Sequence, residues 1–74
     1  MQDFQLQGEF IELNVLLKLL ALAPSGGGAK ALIAAGEVAV DGQVESRIRR
    51  KLRPGQTVSV AGDEIRIVAA AAAG

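Results

Sequence analysis

The sequence predicts an α+β fold built as one small domain. Three observations carry that expectation: a leucine stripe at helical spacing (Leu13, Leu16, Leu17, Leu20), a second helix-like stretch bounded by Ser25 and Gly36, and hairpin signatures at Asp41-Gly42 and Ala61-Gly62-Asp63. Seventy-four residues allow one hydrophobic core with little stability to spare. The chain has no cysteine, so neither a disulfide framework nor a thiolate metal site supplements that core. Half the residues are apolar, more than a disordered chain carries, and nearly all of these are aliphatic.

Phe4-Gln5-Leu6-Gln7 alternates apolar and polar residues until Gly8 interrupts it, which predicts a short edge strand. From Glu12 the leucine stripe predicts a first helix running to about Leu22, because Pro24 disfavours helical geometry at Ala23. Lys18 falls on its polar side. Ser25 is placed to cap the second helix, with Ala29, Leu32 and Ile33 turned inward and Gly36 suited to a left-handed C-terminal cap.

Gly26, Gly27 and Gly28 occupy the first turn of that helix, where glycine costs helix propensity. Two explanations are open: a close approach of another backbone, or bare N–H groups presented to an anion. The segment is not a nucleotide-binding P-loop, since the glycine spacing is wrong and Lys30 is followed by Ala31.

Glu37 to Glu45 forms a hairpin around Asp41-Gly42, whose residues supply the positive backbone angles of a type I′ turn, with Val38 and Val40 on one face. Pro54-Gly55 centres a further turn. Thr57 to Val60 and Glu64 to Val68 make the second hairpin, with Val58 and Val60 paired on one face and Ile65 and Ile67 likewise. Residues 69–74 form an alanine-rich tail too short to hold a helix alone, and fraying is expected there.

Histidine, cysteine and tyrosine are all absent, which removes His-based acid–base pairs and thiol nucleophiles. Asp41, Glu45, Asp63 and Glu64 lie in or beside turns, where carboxylates ordinarily shape the turn and solvate the surface. They form no EF-hand-like cluster, and the sequence gives no reason to expect a metal or cofactor. The apolar run Val15 to Ala23 is broken by Lys18 and is shorter than the roughly 20 residues of a bilayer span, and no secretory signal is visible. The expected location is the cytoplasm.

Net charge is zero, but the charges are segregated. Arg47, Arg49, Arg50, Lys51 and Arg53 crowd into Arg47 to Arg53, and screening at physiological salt makes this local field matter more than the sum. If that segment is extended, Arg47, Arg49, Lys51 and Arg53 share one face while Ile48, Arg50 and Leu52 share the other. Such a comb matches a phosphate backbone; a solvated run that only maintains solubility is the plain alternative.

The ordered set Glu9-Phe10-Ile11-Glu12-Leu13, Leu17-Lys18, Ser25-Gly26-Gly27, Ala29-Lys30, Ile33, Gly36, Val38, Val40-Asp41-Gly42, Val44-Glu45, Arg47, Arg50-Lys51-Leu52 and Pro54-Gly55 resembles the S4 RNA-binding domain family. Within it, the chain resembles the small stand-alone bacterial proteins of the YbcJ/YaaA type, over about residues 4–68. The resemblance implies an S4-like (alpha-L) RNA-binding fold, two main helices packed on a small, mostly antiparallel sheet. It also implies that Ser25, Gly26, Gly27, Gly28 and Lys30, together with Arg47, Arg49, Arg50, Lys51 and Arg53, lie on the RNA-binding surface. Two positions depart from the common pattern: Gly26 stands where many members have a basic residue, and Gln56 where aspartate is commoner.

The implied function is non-enzymatic binding of structured RNA, ribosomal or otherwise related to translation, with no membrane and no small-molecule substrate. Scarcity of aromatics argues against single-strand stacking and toward recognition of RNA shape in a helix or junction. A protein-interaction module docking an acidic partner through the same basic run is the principal alternative, and an enzyme acting through turn carboxylates is a third.

Overall fold

The computed structural model describes residues 2–23 and 26–70. Strand β1 (Gln2–Leu6) is followed by the two-residue β2 (Ile11–Glu12) and by helices α1 (Leu13–Leu19) and α2 (Gly26–Ala34). Then come β3 (Val38–Val40), β4 (Gln43–Val44), β5 (Lys51–Leu52), β6 (Thr57–Val60) and β7 (Asp63–Ala69). Five strands form one sheet in the order β1-β7-β6-β3-β4, and β2 pairs separately with β5. All pairings are antiparallel except β1 with β7. The α+β expectation of two helices on a mostly antiparallel sheet holds.

The helix ends explain the observed lengths. Helix α1 stops at Leu19, short of the expected Leu22, because Ala21 adopts a left-handed φ of 57°. The Ala21 N–H then donates to Lys18 O at 3.1 Å and the Leu22 N–H to Leu17 O at 3.0 Å, the two bonds of a Schellman cap. Helix α2 closes in the same way on Gly36 at φ 75°, with Gly36 donating to Ile33 O and Glu37 to Leu32 O, both at 3.1 Å. Ser25, the expected N-cap of α2, lies outside the described residues, as does the tail beyond Ala70.

Both hairpins turn through two consecutive positive-φ residues, Asp41 (52°) with Gly42 (82°) and Ala61 (48°) with Gly62 (95°), as type I′ geometry demands. Asp41 adds its carboxylate, whose Oδ1 accepts the Thr57 N–H at 2.9 Å. The backbone of Asp41 supplies the first positive φ of the turn, while its carboxylate ties that turn to the start of β6. The Pro54-Gly55 turn is closed by the Gln56 N–H donating to Arg53 O at 3.3 Å, and Gln56 Oε1 accepts the Arg53 N–H at 2.8 Å in return. The glutamine at this position therefore serves the turn itself.

One core joins the layers: Leu13, Leu16 and Leu17 of α1, Ala29 and Ile33 of α2, and Val38, Val40, Val58, Val60, Ile65 and Ile67 of the sheet are all buried. Leu6, Ala23 and Leu52 complete it. Leu32, expected inward, is half-buried at its edge. Strand β7 reaches Ala69, the first residue of the expected tail, and the Ala70 N–H beyond it donates to Leu6 O at 3.1 Å. The parallel β1–β7 pairing leaves β1 at an edge, as its short alternating pattern predicts.

Leu52 is fully buried although its chain neighbours Lys51 and Arg53 are exposed, so it pins the cationic segment to the core. Replacing Leu52 by Ala is expected to lower unfolding free energy by about 2–4 kcal/mol, measured by urea denaturation. A loss below about 1 kcal/mol would mean that the segment is not anchored there.

Candidate nucleic-acid interface

The basic segment is held by backbone groups before its side chains come into play. Helix α1 has no side-chain N-cap, and its first amides would otherwise be unsatisfied. Carbonyls of the basic segment take that role: Leu13 N–H donates to Arg50 O at 2.9 Å and Asn14 N–H to Ile48 O at 3.1 Å. The pairing Ile11↔Leu52 and Glu12↔Lys51 extends the attachment through β2 and β5. An extended comb from Arg47 to Arg53 is therefore corrected: the chain turns at Ile48-Arg49, closed by Arg50 N–H donating to Arg47 O at 3.3 Å, and only Lys51–Leu52 are strand. The alternation of exposure survives, with Arg47, Arg49, Lys51 and Arg53 exposed while Ile48 and Arg50 are half-buried and Leu52 buried.

Glu45 is the buried carboxylate behind this surface, 7% exposed. Arg47 grips it with a fork, Nε to Oε2 and Nη2 to Oε1, each at 3.1 Å, while Arg50 Nη1 donates to Oε1 at 2.7 Å. The N–H groups of Ser46 and Arg47 donate to Oε2 at 3.0 Å, and the Glu45 N–H donates to Val38 O at 2.9 Å. One carboxylate thus aims two guanidiniums and shapes the chain between hairpin and loop. The expectation that Glu45 solvates the surface is corrected: the carboxylate is buried and engaged by Arg47, Arg50 and the adjoining backbone amides.

The side-chain and backbone hydrogen bonds from Arg47, with help from Arg50 and against the cost of burial, lower the Glu45 carboxyl from 4.5 to about 2. The Arg47 guanidinium is reciprocally raised by its hydrogen bond and charge interaction with Glu45.

Among the described residues, Arg49, Lys51, Arg53 and Lys30 enter no ion pair. Two depressions adjoin the loop: one lined by Arg47, Arg49, Arg50 and Lys51, the other by the first hairpin with Glu45, Arg47 and Arg50. Arg47 and Arg50 line both, so the two adjoin at this pair as one groove, cationic on the loop side and carrying Asp41 and Glu45 on the hairpin side. Beyond Lys51, the exposed Phe10 ring has Lys51 Nζ 4.9 Å and Arg53 Cζ 5.9 Å from its centroid. Sequence reading assigned neither Glu45 nor Phe10 a part in the surface: Glu45 adjoins the cationic run in the chain, whereas Phe10 is brought to it only by the β2–β5 register.

The other half of the predicted surface is less fully placed. Gly26, Gly27 and Gly28 form the first turn of α2, and Lys30 is exposed on that helix. No described hydrogen bond or ion pair joins Lys30 to the Arg47–Arg53 segment. The two regions are linked through α1, which packs on α2 and is capped by the basic segment.

The sequence profile of the S4 domain matches residues 4–68. The chain belongs to the S4 domain family. YbcJ of Escherichia coli (strain K12) is 52% identical over 59 residues, covering 80% of this chain and 84% of YbcJ, and YbcJ of Shigella flexneri matches to the same extent. The solution structure of E. coli YbcJ, described as revealing an alfaL motif involved in RNA-binding, matches this S4 domain with a TM-score of 0.71 at 48% identity. It covers 93% of this chain and 89% of that one. The 30S ribosomal protein S4e from Thermoplasma acidophilum shares the fold alone, with a TM-score of 0.65 at 19% identity over 78% of this chain and 31% of that one.

No helix among the described residues is long and apolar enough to cross a membrane.

The lowered Glu45 carboxyl gives a pH prediction. A depressed acid contributes stability that is present above its unfolded value and lost as pH falls from about 4.5 through about 2. Wild type should lose stability across that window, whereas Glu45→Gln should be less stable at pH 7 and decline less steeply, both read by urea denaturation at several pH values. Equal slopes would mean that the carboxylate is not paired in solution.

Proposed function

We propose that this S4 domain is a non-enzymatic RNA-binding protein that grips structured RNA, in ribosomal RNA or another translation-related RNA, by its phosphate backbone. The observation that carries this reading is the cationic groove: Arg47 and Arg50 aimed by Glu45, with Arg49, Lys51 and Arg53 beside them and no carboxylate partner among the described residues. Kinship with YbcJ, whose structure is described as containing a motif involved in RNA-binding, supports RNA as the polyanion.

The mechanism is electrostatic. Each guanidinium or ammonium placed on a phosphate releases condensed counterions, so affinity falls steeply with salt. Phosphate contacts fix register without reading sequence, and the A-form duplex offers shape, phosphates and 2′-hydroxyls rather than an accessible major groove. The first turn of α2, with Lys30, supplies a second phosphate contact in this reading.

Binding should be measured on a structured ribosomal RNA helix, an unrelated RNA hairpin, duplex DNA and an acidic protein across a salt series. The Arg49→Glu/Lys51→Glu variant is expected to lose more than roughly tenfold affinity for every RNA alike, with the salt slope smaller by about one per phosphate contact removed. No preference of wild type for RNA over the acidic protein would overturn the RNA reading, and equal binding to both RNAs would remove its ribosomal part.

A further inference from the structure

The Phe10 ring stands apart from the phosphate-gripping groove yet touches its end. It is 39% exposed, whereas Phe4, the other aromatic, is half-buried against the core. A single exposed apolar side chain is ordinary on a protein surface and carries nothing by itself. What distinguishes Phe10 is its company: Lys51 Nζ at 4.9 Å and Arg53 Cζ at 5.9 Å from the ring centroid. Arg53 is further steadied by Nη1 donating to the Glu9 carbonyl at 3.5 Å. Lys51 lies in β5 opposite Glu12, two residues from Phe10, so the register brings ring and cation together.

Ring, guanidinium and ammonium together match one chemical unit, a nucleotide. A nucleobase presents a π-face that stacks on an aromatic ring or guanidinium plane, and its phosphate sits one sugar away within reach of a neighbouring cation. Bases inside a duplex are already stacked on one another, so only an unpaired base can use such a surface. Resting on the RNA-binding reading above, we propose that Phe10, over whose ring Lys51 and Arg53 lie in the free protein, receives one unpaired nucleobase beside the duplex backbone held at Arg47 to Lys51, the two cations leaving the ring for the phosphates. The preferred substrate class is thus a duplex interrupted by a bulge or junction rather than a continuous one.

The test compares an uninterrupted RNA duplex with the same duplex carrying a single bulged 2-aminopurine, against wild type, Phe10→Leu and Phe10→Trp. Each protein is first checked for native thermal unfolding. Wild type is expected to bind the bulged RNA roughly tenfold more tightly, with a change in 2-aminopurine fluorescence. Phe10→Leu should lose the fluorescence change and weaken on the bulged RNA by more than on the continuous duplex, so that the preference disappears, and Phe10→Trp should retain both signal and preference. Equal weakening of both RNAs by Phe10→Leu would show that the ring only positions Lys51 and Arg53, and would overturn the proposal. A preference intact in Phe10→Leu, or absent in wild type that still binds RNA, overturns it too. Failure of wild type to bind either RNA would instead remove the underlying RNA reading, and this proposal with it.

Discussion

The start of α1 has amides that no helical carbonyl can reach, and the basic segment supplies the missing acceptors. Leu13 and Asn14 donate to Arg50 and Ile48, so a requirement of helix formation becomes the anchor of the cationic loop. A side-chain cap would have satisfied an amide just as well and left the loop unattached. Here Glu12, the residue at the cap position, makes no such bond and instead pairs through its backbone with Lys51. The helix, the β2–β5 pair and the buried Leu52 therefore act together to fix where five positive charges stand.

Fixing those charges raises the problem of their mutual repulsion. Glu45 answers part of it, neutralising one charge inside the cluster while orienting Arg47 and Arg50. The Arg47 side chain is largely exposed at 70%, so its ion pair is weak as a stabilising contact and matters for direction. Arg50 at 28% is the better shielded partner. The cations left unpaired lie outward in the alternation that the backbone enforces, where water screens them until an anion arrives.

Local chemistry made much of this fold readable from sequence. Asp41-Gly42 specified a type I′ turn, Pro54-Gly55 a turn with left-handed glycine, and Gly36 a helix end, because each depends on residues adjacent in the chain. Long-range pairings were not readable: two-residue strands such as Ile11–Glu12 and Lys51–Leu52 carry no periodicity of their own. The same limit explains the mistaken extended comb, since alternation of exposure from Arg47 to Arg53 was right while the turn at Ile48-Arg49 answers to acceptors needed by α1. Helix α1 was overextended because Ala21 takes the left-handed cap that glycine usually fills. Of the candidate site, the cations were visible as a run, but Glu45 and Phe10 acquire their roles only from tertiary placement.

A backbone held at both ends of the loop also bears on how a small domain with zero net charge can bind a polyanion. Ordering a flexible basic segment on RNA would cost backbone entropy for every residue fixed, and that cost would offset the few charge contacts available. With Leu13, Asn14, Glu12 and Glu45 already holding the segment, only the outer side chains remain to be ordered. Preorganisation therefore lets a handful of cations act together, and the acidic residues elsewhere in the chain lie outside the groove's lining except for Glu45 and Asp41, which are engaged in hydrogen bonds of their own. Placement, more than total charge, sets the affinity such a surface reaches.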